Sequence, residues 1–154
     1  MPVVFFGLMK EVEEVCQSAV QEIKKNPKLA QLKIFLGRKP KDIVNELQDL
    51  GRCARRYHGQ RFKNMPLHEA LNDELISDLW TFADAALLIA SISGYIALCQ
   101  LDSYHHGSGN KKIVPSSVTK ANGSFEQSLR CIALAEKLWV KRGEIYRLLS
   151  KHKK

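Results

Sequence analysis

The chain has 154 residues, 45% hydrophobic and 26% charged. This balance excludes a disordered tail and fits one domain that buries roughly two-thirds of its unfolded surface without a disulfide or metal staple. Lys and Arg number 24 against 16 Asp and Glu, a formal charge of +8, which points to a polyanionic partner and supplies no reaction.

The first amino acids, Met-Pro-Val-Val-Phe-Phe-Gly-Leu, lack the basic flank and small-residue cleavage site of a secretory signal. Strand signals are confined to Val3–Phe6 and Ile113-Val114, without alternation or a hairpin partner. From Leu8, apolar residues recur at Val12, Val15, Ala19 and Ile23, predicting a first helix that ends before Asn26-Pro27. A short second helix carries Leu29, Leu32 and Phe35, and Gly37 closes it in the position favoured by left-handed C-caps. A third starts near Pro40, runs through Ile43, Leu47, Leu50, Ala54 and Tyr57, and ends at Gly59.

Beyond Asn64 and Pro66, a fourth helical region runs from Leu67 to about Leu101, with a break near Asn72-Asp73. Its uncharged part, Ala85–Leu101, is shorter than the ~20 residues a bilayer asks for and includes Ser91, Ser93, Gly94 and Gln100, so it reads as a central bundle helix. Ser124, with Gln127 three residues on, forms a capping box for a last helix through Leu129, Ile132, Ala135, Leu138, Ile145 and Leu149. Between these helices, Asp102–Gly123 reads as a long mobile loop, and 151–154 as a basic tail. The expected fold is all-α, a single-domain bundle of about five helices spanning 1–154. Cys16, Cys53, Cys99 and Cys131 form no C-x-x-C pair and sit in apolar helical stretches, as reduced, buried thiols of a cytoplasmic protein do.

Charge is unevenly spread. Residues 38–63 carry +5, residues 64–101 carry −5 with no Lys or Arg, and residues 137–154 carry +6. On a helix Lys41, Arg52 and Arg56 form a stripe roughly opposite the apolar line, so burial of that line turns Arg52, Arg55 and Arg56 outward. The chain then leaves through Tyr57-His58-Gly59-Gln60-Arg61-Phe62-Lys63, where cations and rings interleave. Cations neutralise phosphates and exposed rings stack on unpaired bases, which is what a single-stranded nucleic-acid site requires. The candidate site is Lys41, Arg52, Arg55, Arg56, Tyr57, Arg61, Phe62 and Lys63, with a second strip at Lys137, Lys141, Arg142 and Lys151. Glu69, Asp73, Glu74, Asp78 and Asp84 read as a solvated acidic face without metal-ligand spacing. That face could also meet the basic surface of a neighbouring copy head to tail, giving a filament along the nucleic acid.

No H-E-x-x-H, phosphate loop, nucleophile elbow or zinc spacing occurs, so no catalytic residue, metal or cofactor is expected. Arg52-x5-His58 resembles the loosely spaced arginine–histidine motif of the HEPN helical ribonucleases, which would imply metal-independent RNA cleavage at a dimer interface. Six residues on one helix place the two side chains about 120° apart, and Cys53 follows the arginine where that family usually has a polar residue. In size, charge and helical architecture, though in no residue motif, the chain looks like the small helical subunits of CRISPR effector complexes. That resemblance implies sequence-independent contacts to single-stranded RNA or DNA within a larger assembly, alongside other subunits or further copies of itself. The alternative from a different class is a protein–protein adaptor whose basic surface meets an acidic partner.

Overall fold

The structure, a computed structural model, describes residues 2–25, 37–106 and 115–152, with side chains placed over 7–25, 37–66, 68–98 and 120–151. It is all-α. Among the described residues there is no strand, and the helices are α1 (Pro2–Lys25), α2 (Pro40–Tyr57), α3 (Gln60–Lys63), α4 (Leu67–Ala70), α5 (Asp73–His106) and α6 (Pro115–His152). The β-like Val3–Phe6 is absorbed into α1, since an apolar run without a partner strand gains more as the first turns of a long helix. The expected helix at Leu29–Phe35 lies outside the described residues, as does Ile113-Val114. Gly37 has φ +67°, the left-handed conformation expected of it.

Two antiparallel pairs make the architecture. The long helices α5 and α6 pack along each other, and α1 with α2 forms a second pair whose α1 touches both. The core between them is filled by Met9, Ile43, Leu47, Leu75, Leu79, Phe82, Ile89, Ile92, Leu134, Leu138 and Ile145, all essentially solvent-free. Pro40 occupies the first turn of α2, where its missing N–H costs nothing. The break before α5 is real: Asn72 Oδ1 accepts the Leu75 N–H at 2.9 Å and its Nδ2 donates to Glu69 O at 3.0 Å, an N-cap that starts α5 afresh.

Between α5 and α6 the sequence reading needs correction. Residues 102–106 continue α5 and 115–123 already belong to α6, so at most 107–114 connects them. Pro115 opens α6, and the Ser124/Gln127 pair sits inside the helix rather than at its start. Gly123 costs about 1 kcal/mol within a helix, yet the helix runs through it, with Ala121 fully buried two residues nearer the start. Ser128 Oγ donates to Ala90 O at 2.8 Å, and Gly94 lies beside that contact, where even a Cβ would sit at an ordinary 3.8 Å from Ser128 Oγ.

The apolar line expected along the last helix divides into two. Cys131, Leu134, Ala135, Leu138 and Ile145 face the core, whereas Leu129 and Ile132 point outward, Leu129 being 66% exposed. They belong to a second line, Phe125, Leu129, Ile132, Glu136, Trp139, Gly143 and Tyr146, spaced alternately by four and three. On α5, Trp80, Asp84, Leu87, Ser91, Gly94 and Leu98 follow the same rhythm, with Trp80, Leu87 and Leu98 exposed. Every exposed large hydrophobic among the residues whose side chains are placed lies on these two helices. Asp73–Leu98 is the one described stretch long and apolar enough to cross a membrane, and its most apolar window is 56% buried inside the protein.

Candidate nucleic-acid interface

The C-terminal half of α2 is fastened on both sides. Ile43, Leu47, Ala54 and Tyr57 go into the core, and Gly51 passes Cys16 of α1 closely enough that a Cβ would lie 3.7 Å from the Cys16 Cβ. Toward α1, the nearly buried Glu13 takes two partners: Arg55 Nε donates to Oε1 at 2.9 Å and His58 Nε2 meets Oε2. Burial alone would push the Glu13 carboxyl up, but the hydrogen bonds and charges of His58 and Arg55 outweigh it and hold its pKa below the ordinary value. Toward α5, Tyr57 Oη donates to Asp78 Oδ2 and Cys53 donates weakly to the same oxygen at 3.8 Å. Arg56 Nη2 then donates to Cys53 Sγ at 3.2 Å. Burial, and next the Asp78 bond, push the Tyr57 phenol far above its usual range.

This fastening decides which predicted residues reach solvent. Lys41, Arg52, Arg55, Arg56, Arg61 and Lys63 are all exposed, so the outward cationic surface of α2 and α3 forms as the apolar periodicity requires. The exposed Lys39 extends it at the start of α2. Arg52 and Arg55 hold carboxylate partners. Arg52 pairs with Asp49 one turn back, both 71% exposed, and Arg55 stays 66% exposed while bound to Glu13. The exposed Arg52–Asp49 pair contributes about 0–1 kcal/mol, so a phosphate can exchange with it, whereas Arg55 is held by the largely buried Glu13 carboxylate.

The aromatic half of the expectation fails. Tyr57 is 7% exposed, its ring packed edge-on against Phe62 at 5.0 Å and Phe82 at 6.1 Å. Phe62 is half-buried on that stack. A ring committed to the core offers no face to a base, so Tyr57 and Phe62 are packing residues. Around them Arg56, Arg61, Asn72 and Glu74 line an open cleft of about 510 Å³. A second groove, about 300 Å³, runs between α1 and α2 past Lys24, Gln48, Arg52 and Arg55.

The strip on α6 is thinner than predicted. Lys141 is largely buried and donates to Glu144 at 2.9 Å, which lowers the Glu144 pKa. The Arg142 guanidinium lies 5.0 Å over the Trp139 ring, and its Nε is buried without a hydrogen-bond partner. Lys141 and Arg142 are therefore withdrawn from the outward surface, leaving Lys137, Arg147 and Lys151 exposed. Arg52 and His58 do not converge either, since each is bonded to a different carboxylate. Cys16 and Cys131 are buried free thiols pushed up to about 12 and about 11 by desolvation, whereas Cys53 is only half-buried; the Cys99 side chain lies outside the described residues. Among the described residues no cluster could hold a metal ion.

Sequence reasoning overlooked Glu13, whose partners lie more than forty positions away and leave no local trace. Asp49 was within reach, being three residues from Arg52. Comparisons of the chain with protein-family models, curated proteins and solved structures return no match.

Proposed function

We propose that the chain is a non-enzymatic, cytoplasmic subunit of a larger assembly that binds nucleic-acid backbone, RNA or DNA, through the cationic surface of α2 and α3. One observation carries the reading: packing of Ile43, Leu47, Ala54 and Tyr57 leaves Lys41, Arg52, Arg55, Arg56, Arg61 and Lys63 exposed on adjoining elements. With the rings buried, affinity comes from phosphate neutralisation and counterion release, so recognition is independent of base identity. Likeness in size and charge to small CRISPR effector subunits agrees with such a role, without a motif to transfer.

Titration of unstructured RNA and DNA oligonucleotides by fluorescence anisotropy tests this. Log affinity should fall with log salt with a slope of about −3, as expected for four to five neutralised phosphates on a single strand. Arg56→Glu with Arg61→Glu should weaken binding at least tenfold for all sequences alike. Base-selective loss overturns backbone recognition, and no binding of either nucleic acid at low salt overturns the reading and favours an adaptor for an acidic protein.

A further inference from the structure

The groove between α1 and α2 carries more than charge. We propose that it selects RNA over DNA, with the side-chain amides of Gln21 and Gln48 meeting ribose 2′-hydroxyls of the bound strand. The inference rests on the nucleic-acid reading above and adds the sugar to it, since phosphates are common to both polymers.

Two stripes face each other across this groove. On α1, Gln17, Gln21 and Lys24 recur at spacings of four and three, and on α2 so do Gln48, Arg52 and Arg55. The floor between them is apolar and buried, made by Cys16, Val20 and Leu47. The helices run antiparallel, with Gly51 beside Cys16 and Arg55 bonded to Glu13. Counting from those contacts at about 1.5 Å per residue sets Gln21 and Gln48 across from each other to within about 3 Å. The same count separates Lys24 and Arg52 by about 12 Å along the groove, on either side of the amide pair.

That order suits a sugar–phosphate chain laid along the groove. Packed helices stand about 8–10 Å apart axis to axis, so the furrow between them admits one strand and not a duplex. Its volume, about 300 Å³, is at the small end of binding sites. Phosphates held at Lys24 and Arg52 leave the sugars between them at Gln21 and Gln48. An amide donates through Nε2 and accepts through Oε1, and a hydroxyl also does both, so the two groups match. Gln17 is already committed, its Nε2 donating to Glu13 Oε1 at 3.2 Å. Gln21 and Gln48 have no hydrogen-bond partner among the described residues. Deoxyribose carries hydrogen where ribose carries the hydroxyl, so DNA in the groove takes water from both amides and returns no bond. Every ribonucleotide has this hydroxyl, which keeps the preference independent of the base.

Fluorescence anisotropy with the full chain and unstructured oligonucleotides tests the proposal, with uracil in every strand so that only the sugar differs. RNA should bind about three- to tenfold tighter than DNA, the share of one or two neutral hydrogen bonds. A 2′-O-methyl strand, which has no O–H to donate, should fall to the level of DNA. Gln21→Leu with Gln48→Leu should bring RNA and DNA together while the salt slope stays, because no cation is lost. If that variant loses helicity by circular dichroism, the methylated strand decides. Equal affinity for RNA and DNA, or a methylated strand as tight as RNA, overturns the hydroxyl contact. A preference that survives the double substitution overturns this groove as its source. Failure of both nucleic acids to bind at low salt overturns the underlying reading and this one with it, a result distinct from equal binding.

Discussion

Helices α2 and α6 are both amphipathic, yet they use their apolar residues differently. In α2 one apolar line goes inward and everything opposite it is polar, so the helix is complete within the monomer apart from its surplus cations. In α6 one apolar line goes inward and another, from Phe125 to Tyr146, goes out. The first arrangement prepares a surface for a soluble polyanion, and the second leaves a surface whose hydration is costly until something covers it. Periodicity alone distinguishes helix from strand; only the number of apolar lines around the helix tells whether its packing is finished.

The largest expected effect tests the joint the two regions share. Phe82 on α5 is buried and meets the Tyr57 ring of α2, so Phe82→Ala should cost about 3–5 kcal/mol in denaturant unfolding. A loss below 1 kcal/mol would mean that α2 does not depend on the hairpin for its position. Next comes Glu13→Gln, which deprives Arg55 and His58 of their carboxylate and should cost about 1–3 kcal/mol near neutrality. Because the folded pKa of Glu13 is lowered, its contribution is whole above the ordinary 4.5 and is lost as pH falls through the lowered value. Thermal melts between pH 6 and 3 should therefore converge for wild type and Glu13→Gln at the acid end; parallel curves would deny the charge role.

The smallest effect on stability belongs to Asp49→Asn. Its pair with Arg52 is fully at the surface, so unfolding should change by less than about 0.5 kcal/mol. The released guanidinium should nevertheless tighten oligonucleotide binding about two- to threefold at low salt. Unchanged binding would remove Arg52 from the interface and leave the ridge to Arg56, Arg61 and the lysines.

Much of the fold was legible because its signals are local. The line from Ile43 to Tyr57, Pro40 at a helix start and the Asn72 break each act within a few residues, and each stands where expected. What escaped was decided by tertiary contact. Gly123, Ser124 and Gln127 looked like the start of α6, but the helix runs across them from Pro115, with Ala121 buried. In sequence Leu129 and Ile132 share one helical period with Leu138 and Ile145, although on the folded helix they form two lines. Arg52, Arg55 and Arg56 were legible as outward, being opposite the apolar line. The commitment of Tyr57 to Asp78 and of Arg55 to Glu13 was not, since those carboxylates come from α5 and α1.

The Ser128–Ala90 hydrogen bond carries a consequence beyond its own strength. Two long helices with regularly repeated apolar teeth can mesh at several offsets, one turn or about 5.4 Å apart, with little change in the surface they cover. A directional bond from a small hydroxyl to a single carbonyl works at one offset only. It keys the hairpin like a detent on a toothed rack, and so sets the phase of everything mounted on both helices.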